Sequence, residues 1–302
     1  MSLEVNQLTK YFGKQKALDE VTFSATKGQV LGFLGPNGAG KSTTMKIATG
    51  FLVQDGGEVL VHGLPVTTHS QKISKLIGYL PEHNPLYPEM YIREFLAFVG
   101  GIYGMKGKPL QQRIEELVQL CGLQLEAHKK IQQLSKGYRQ RVGLAKALIH
   151  DPEVIILDEP TTGLDPNQLV EIRKLIKTIS TDKTLILSTH IMQEVEALCD
   201  QVVIINRGKI VAADQLKNLK AQQGREKLLV ETEEKLDLEW FAMLGPCEFT
   251  DSSQKAVSIL INDAGIARRE ILQIIQAKGL NLVSIQQKEN NLESIFHQIT
   301  QS

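Results

Sequence analysis

Eight residues, Gly35-Pro36-Asn37-Gly38-Ala39-Gly40-Lys41-Ser42, satisfy the spacing G-x-x-x-x-G-K-S/T at every fixed place. That spacing suits a phosphate. Glycines let the backbone curl until successive N–H groups converge on one anion. A helix that opens directly after the loop turns its positive end toward the same charge. Lys41 is placed to reach the outer phosphates of a triphosphate, and Ser42, followed by Thr43, offers a hydroxyl to Mg²⁺. The flanks agree with this chemistry. Gln29–Leu34 reads as a buried strand leading in, and Thr43–Ala48 reads as a helix leading out. A glycine-rich turn with an incidental lysine would need neither flank, so the pattern points to a bound nucleoside triphosphate.

A second group of candidates lies more than a hundred residues further on. Val154-Ile155-Ile156-Leu157 is a continuous apolar run that ends in Asp158-Glu159-Pro160. Such a run suits a strand buried on both faces of a parallel sheet. Acids at its carboxyl end would stand where open α/β sheets hold ligands, with Asp158 for a metal shell and Glu159 for an attacking water. Alone, the run reads equally well as a buried strand with a polar end. Before it, Ser135 in Leu134-Ser135-Lys136-Gly137-Tyr138-Arg139-Gln140-Arg141-Val142 reads as the N-cap of a helix carrying Val142, Leu144, Ala145 and Leu148. After it come Gly163-Leu164-Asp165 and the strand Thr184–Thr189, which ends at His190. A lone histidine at a strand end is commonly structural. This one follows the small polar pair Ser188-Thr189, which favours a functional reading.

These five motifs, in this order, resemble the ATP-binding cassette (ABC) ATPases over roughly Leu3 to Gln215. The resemblance implies a P-loop NTPase cassette of α/β class. Its core is a mixed sheet with N-terminal antiparallel strands and an inserted helical subdomain. It also assigns roles. Tyr11 matches the aromatic that stacks on adenine. Gly35, Pro36, Asn37, Gly38, Ala39, Gly40, Lys41, Ser42 and Thr43 match the phosphate loop. Asp158 and Ser42 match the Mg²⁺ ligands, Glu159 the residue that activates water, and His190 the switch histidine at the γ-phosphate. Ser135 and Gly137 match the signature segment, which faces ATP held by the other subunit. A head-to-tail homodimer around two Mg-ATP is therefore implied. Two places depart from the common family pattern. Lys136 and Tyr138 stand where Leu-Ser-Gly-Gly-Gln has glycine and glutamine. Glu82, in Ile77-Gly78-Tyr79-Leu80-Pro81-Glu82, stands where glutamine is usual, so this metal- and water-facing position carries a carboxylate that cannot donate a hydrogen bond unless protonated.

The 302 residues suit about two domains. Residues 1–220 are assigned to the cassette, with the helical subdomain at about 84–150, and residues 221–302 to a small accessory domain. Helices are expected over Ile92–Gly100 and Leu110–Cys121. The accessory domain reads as strand Lys227–Thr232, helix Leu238–Leu244, strands Cys247–Thr250 and Ala256–Ile261, helix Ile266–Ala277 and strand Asn281–Gln287. That order is α+β and ferredoxin-like. A final helix, Asn291–Ile299, closes the pattern.

Lys plus Arg and Asp plus Glu both total 34, which argues against nucleic acid held by overall electrostatics. Three well-separated cysteines carry no metal spacing. Met1–Val5 reads as the start of a strand rather than a leader, and no apolar run approaches the ~20 residues of a membrane span. If cargo crosses a membrane, another chain forms the path. The resemblance accordingly implies an exporter ATPase at the cytoplasmic face of the plasma membrane, held there by a separate permease. Its likeness is nearest the gliding-motility-associated branch. The competing reading is a soluble cassette acting on ribosomes or DNA. Tyr87, Met90 and Tyr91 read either as a surface for the permease or as residues closing the helical subdomain.

Overall fold

Strands that are apolar at every position have to be covered on both faces, and the centre of the chain is built that way. The computed structural model describes residues 1–221, 226–261 and 263–288. In it, Val30–Leu34, Val154–Asp158 and Thr184–Thr189 are buried throughout. They belong to a six-stranded sheet of order Lys209–Gln215, Gln201–Asn206, Val30–Leu34, Thr184–Thr189, Val154–Asp158, Ile77–Leu80. Every pairing is parallel except that of the outer Lys209–Gln215 strand. The register sets Asp158 beside Ser188, and Leu34 beside Thr189. The carboxyl ends of three central strands therefore finish at one rim.

A second sheet, of four antiparallel strands, runs Gln15–Ala25, Leu3–Phe12, Gly56–Val61, Leu64–Pro65. Its inward residues Leu3, Val5 and Leu8 share one core with Phe33, Ile156 and Ile186 of the central sheet. Met45 and Ile47 of helix Lys41–Ala48 fill the same core. Full burial of each such side chain is worth about 1.5–3 kcal/mol, which fixes the helix and hence the loop that precedes it.

Helices Ile92–Ile102 and Gly107–Leu120 form the helical part together with Lys136–Leu148. The second starts three residues before its expected place at Leu110. Pro109 falls in its first turn, where a missing N–H leaves no bond unmade.

The chain divides into two compact units between Leu216 and Lys217. In the second unit the strand order is Cys247–Phe249, Ala256–Ile261, Glu226–Thr232, Leu282–Lys288, antiparallel throughout. In chain order that is 2-3-1-4, the ferredoxin-like arrangement. Helix Ala264–Lys278 buries Ala267, Ile271 and Ile275, and Asp263 caps its first turn by accepting from the Gly265 and Ile266 N–H groups. The earlier expected helix is cut to the 3-10 turn Leu238–Phe241, and Gly245-Pro246 soon follows. The expected helix Asn291–Ile299 lies outside the described residues.

Candidate nucleotide site

At the rim of the central sheet lies a cavity of about 570 Å³, lined on one side by Asn37, Gly38, Gly40, Lys41, Ser42 and Thr43. Gly38 and Gly40 have φ of 80° and 110°. A Cβ on Gly40 would stand 2.6 Å from Leu18 Cδ2 and 2.9 Å from the Ala17 carbonyl, so conformation and space both require glycine. Lys41 is 5% exposed. Its Nζ donates to the Gly35 carbonyl at 2.8 Å and the Pro36 carbonyl at 3.3 Å, and it pairs with Glu159 Oε1 at 3.4 Å.

Glu82, Glu159, Thr162 and His190 belong to the same lining. Asp158, buried just below, accepts from Ser42 Oγ at 3.2 Å and from Ser188 Oγ. Burial pushes its carboxyl above the usual carboxylate range. The two hydroxyl donors oppose that rise, and the negative charges of Glu159 and Glu82 add to it. Burial likewise raises the Tyr79 phenol, with Asp158 contributing. A cation beside Asp158 would relieve this crowding of carboxylates. The donors here are all oxygen, a hydroxyl and carboxylates, which suits Mg²⁺ completed by water and phosphate.

Glu159 is held in the left-handed region, φ 51°, at a strain of about 1–3 kcal/mol. Its N–H donates to the Ser188 carbonyl at 3.0 Å. Its Oε2 lies 2.8 Å from His190 Nδ1 and accepts from Thr162 Oγ1 at 3.3 Å. The carboxylate thus sits between the Lys41 ammonium and the His190 ring. A charged group this well buried needs partners of that kind.

The structure does not bring every expected residue to this cavity. Tyr11 is absent from the lining, while the adjacent Phe12 is part of it, with Gln15 and Ala17. The Tyr11 ring lies near Lys16 Nζ, 5.8 Å from its centroid, and its N–H is held by Asp55 at 2.6 Å. Successive strand residues face opposite sides, so only one of this aromatic pair can look inward. Gly35 and Pro36 contribute the carbonyls that hold Lys41, and Ala39 is buried beneath the loop. Ser135 caps its helix by accepting from the Tyr138 N–H at 3.3 Å, and Gly137 packs under Gln168. Neither lines the cavity of its own chain. Lys136, the departure in the signature, lays its ammonium against Gly163. Phe12, Gln15, Ala17 and Thr162 in the lining, and Ser188 bonded to Asp158, are residues to which the motifs assigned no role. Ser188 carried a signal, as half of the small polar pair before His190.

A phosphate loop between a buried strand and a helix, with an acid-tipped strand one place removed in the same parallel sheet, defines a P-loop nucleoside triphosphatase. The family described as ABC transporter matches residues 18–162. The uncharacterized ABC transporter ATP-binding protein YxlF of Bacillus subtilis (strain 168) is 33% identical over 297 residues, covering 97% of this chain and 98% of that protein. The linearmycin resistance ATP-binding protein LnrL of the same strain is 31% identical over 304 residues, covering 99% and 98%. Among solved structures, the dimeric post-hydrolysis state of the ATP-binding cassette MJ0796 bound to ADP and Pi superposes with a TM-score of 0.64. It is 25% identical, over 71% of this chain and 98% of that one. The chain belongs to the ABC transporter ATP-binding subunits, and its activity is ATP hydrolysis.

Proposed function

We propose that the chain is the ATP-hydrolysing subunit of an exporter, working as a head-to-tail homodimer around two Mg-ATP and driving a separate membrane permease. One observation carries this reading. Lys41, Glu159, His190 and Glu82 line one cavity, with Ser42 bonded to Asp158 at its floor, while Ser135 and Gly137 stand outside it. A second copy is needed to supply the serine-led helix end. LnrL, by its name, serves resistance to linearmycin, which supports export; MJ0796 has been solved as a dimer, which supports a paired cassette.

In this reading Lys41 and the loop N–H groups hold the outer phosphates. Ser42 and Asp158, with Glu82 nearby, would hold Mg²⁺, which supplies charge neutralisation on the phosphates. Glu159 orients the attacking water and takes its proton, and His190 turns from Glu159 toward the γ-phosphate. A triphosphate would compete with Glu159 for the Lys41 ammonium, so binding would loosen the general base from its cation. Phe12 replaces Tyr11 as the candidate that faces the base. Phe12→Ala should weaken ATP binding roughly tenfold, in line with about 1–3 kcal/mol per stacked base. Tyr11→Ala should leave it within about twofold; titration with a fluorescent ATP analogue separates the two.

The permease would dock on a groove of about 720 Å³ between the helical part and the stretches 49–51 and 70–79. Its wall holds Tyr87, 52% exposed, whose ring packs edge-on against Phe95 and Phe98 at 5.8 and 5.5 Å. Tyr91, four residues on, is exposed but outside the lining. Tyr87 thus packs onto the helical part and still presents a face outward, which supports the docking role without excluding the packing one. Affinity purification from detergent-extracted membranes should bring down a polytopic membrane protein with wild type. The Tyr87→Ala/Tyr91→Ala variant should lose it and any turnover stimulated by it. Retention by that variant would count against the docking face.

Among the described residues no helix is long and apolar enough to cross a membrane. Attachment to the cytoplasmic face of the membrane through the permease follows from the proposal. The narrower link to gliding motility has no support from the relatives' names, and export is as far as the cargo reading goes. Action on ribosomes or DNA has no comparable feature behind it in a chain of zero net charge.

A further inference from the structure

One ionisable cation lines the docking groove. Lys146, on helix Lys136–Leu148, reaches a lining otherwise made of apolar, aromatic and neutral polar residues, among them Phe51, Tyr87, Phe98 and Ile102. Phe51 is 79% exposed and Ile102 68% exposed, so the rim around this cation is apolar and uncovered. The ammonium donates to Asn84 Oδ1 at 3.2 Å, and no carboxylate among the described residues pairs with it. Asn84 is a neutral acceptor and is itself committed, donating through Nδ2 to the Arg139 carbonyl at 3.1 Å. An ammonium has three donors, so two of them have no acceptor among the side chains around it. Burial alone accounts for its titration falling to about 8, as expected for a charge without a counter-ion.

We propose that Lys146 anchors a carboxylate carried on an otherwise apolar helix of the membrane partner. This inference rests on the groove being the partner's docking site. Charge complementarity selects the occupant. The apolar rim takes the greasy face of a helix, and the half-buried ammonium takes its single acid. A polar or basic helix would leave the rim wet or set like charges together. A purely apolar helix would seal the ammonium away from water without a partner, which is costly. The anchor gives specificity more than raw affinity, because it rejects helices lacking the acid.

The test uses the full chain and two synthetic helical peptides of about 14 residues, roughly 20 Å long. Both have one apolar face, and they differ only in a central Glu or Gln. In fluorescence anisotropy titrations the Glu peptide should bind about tenfold more tightly than the Gln peptide, the scale of one charge-assisted bond. Lys146→Met should make the two peptides equal, and Lys146→Arg should restore the preference. Thermal melting of both variants checks that each is folded. Equal binding of the two peptides to wild type, lost on Tyr87→Ala, would keep the groove and overturn the anchor. A Glu preference that survives Lys146→Met would overturn the anchor as well. Failure of both peptides to bind would remove groove and anchor together.

Discussion

Glu159→Gln is expected to retain ATP while hydrolysis falls roughly 10²- to 10³-fold, the scale of a lost general base. Glutamine keeps the length and shape of the side chain and tolerates the φ of 51° much as glutamate does. It still reaches Thr162 and His190 but cannot take a proton from water. The nucleotide then stays intact between the two copies, and the dimer should accumulate in its closed form. Size-exclusion chromatography with light scattering, in ATP and Mg²⁺, reads this as a shift from one chain to two. Turnover near that of wild type would remove Glu159 from its role. A persistent monomer with ATP bound would overturn the shared site itself.

Lys41→Ala should weaken ATP binding roughly 10- to 100-fold, the equivalent of about 1.5–3 kcal/mol for hydrogen bonds to a charged group. The mechanism differs from that of Glu159→Gln. Lys41 is tied to the Gly35 and Pro36 carbonyls, so its charge is already aimed when the phosphates arrive. Alanine removes the cation and the tie together. It also leaves Glu159 buried with only His190 and Thr162 as partners, so some loss of stability should accompany the loss of affinity. Isothermal titration with a slowly hydrolysed analogue measures the affinity, and a thermal melt measures the stability. Wild-type affinity in Lys41→Ala would refute the phosphate-loop reading.

The parts of the site that were legible in the sequence are those written into the backbone. A glycine at position 40 can be replaced by nothing larger, and four consecutive apolar residues at 154–157 leave a strand no exposed face. The Ser135 cap was legible for the same local reason. The choice between Tyr11 and Phe12 was not. Strand Leu3–Phe12 slips register at three places, between Val5 and Leu8, Leu8 and Lys10, and Lys10 and Tyr11. Each slip resets which residue faces inward, so counting alternation along the chain fails. Thr162 stayed hidden because its contact depends on the left-handed turn at Glu159, which no residue type announces. Lys146 and Asn84 are 62 positions apart, and only the fold makes them neighbours.

The segment from Tyr79 to Asn84 touches both cavities. Tyr79 lines the groove and faces Asp158, Glu82 lines the nucleotide cavity, and Asn84 braces Lys146 of the groove lining. Glu82 and Asn84 are separated by at most about 7 Å of extended chain. So short a linkage rod has little backlash. If the groove seats the permease, a push delivered at the apolar end would be felt at the phosphate end before slack could take it up, and the chemistry would keep time with whatever moves above it.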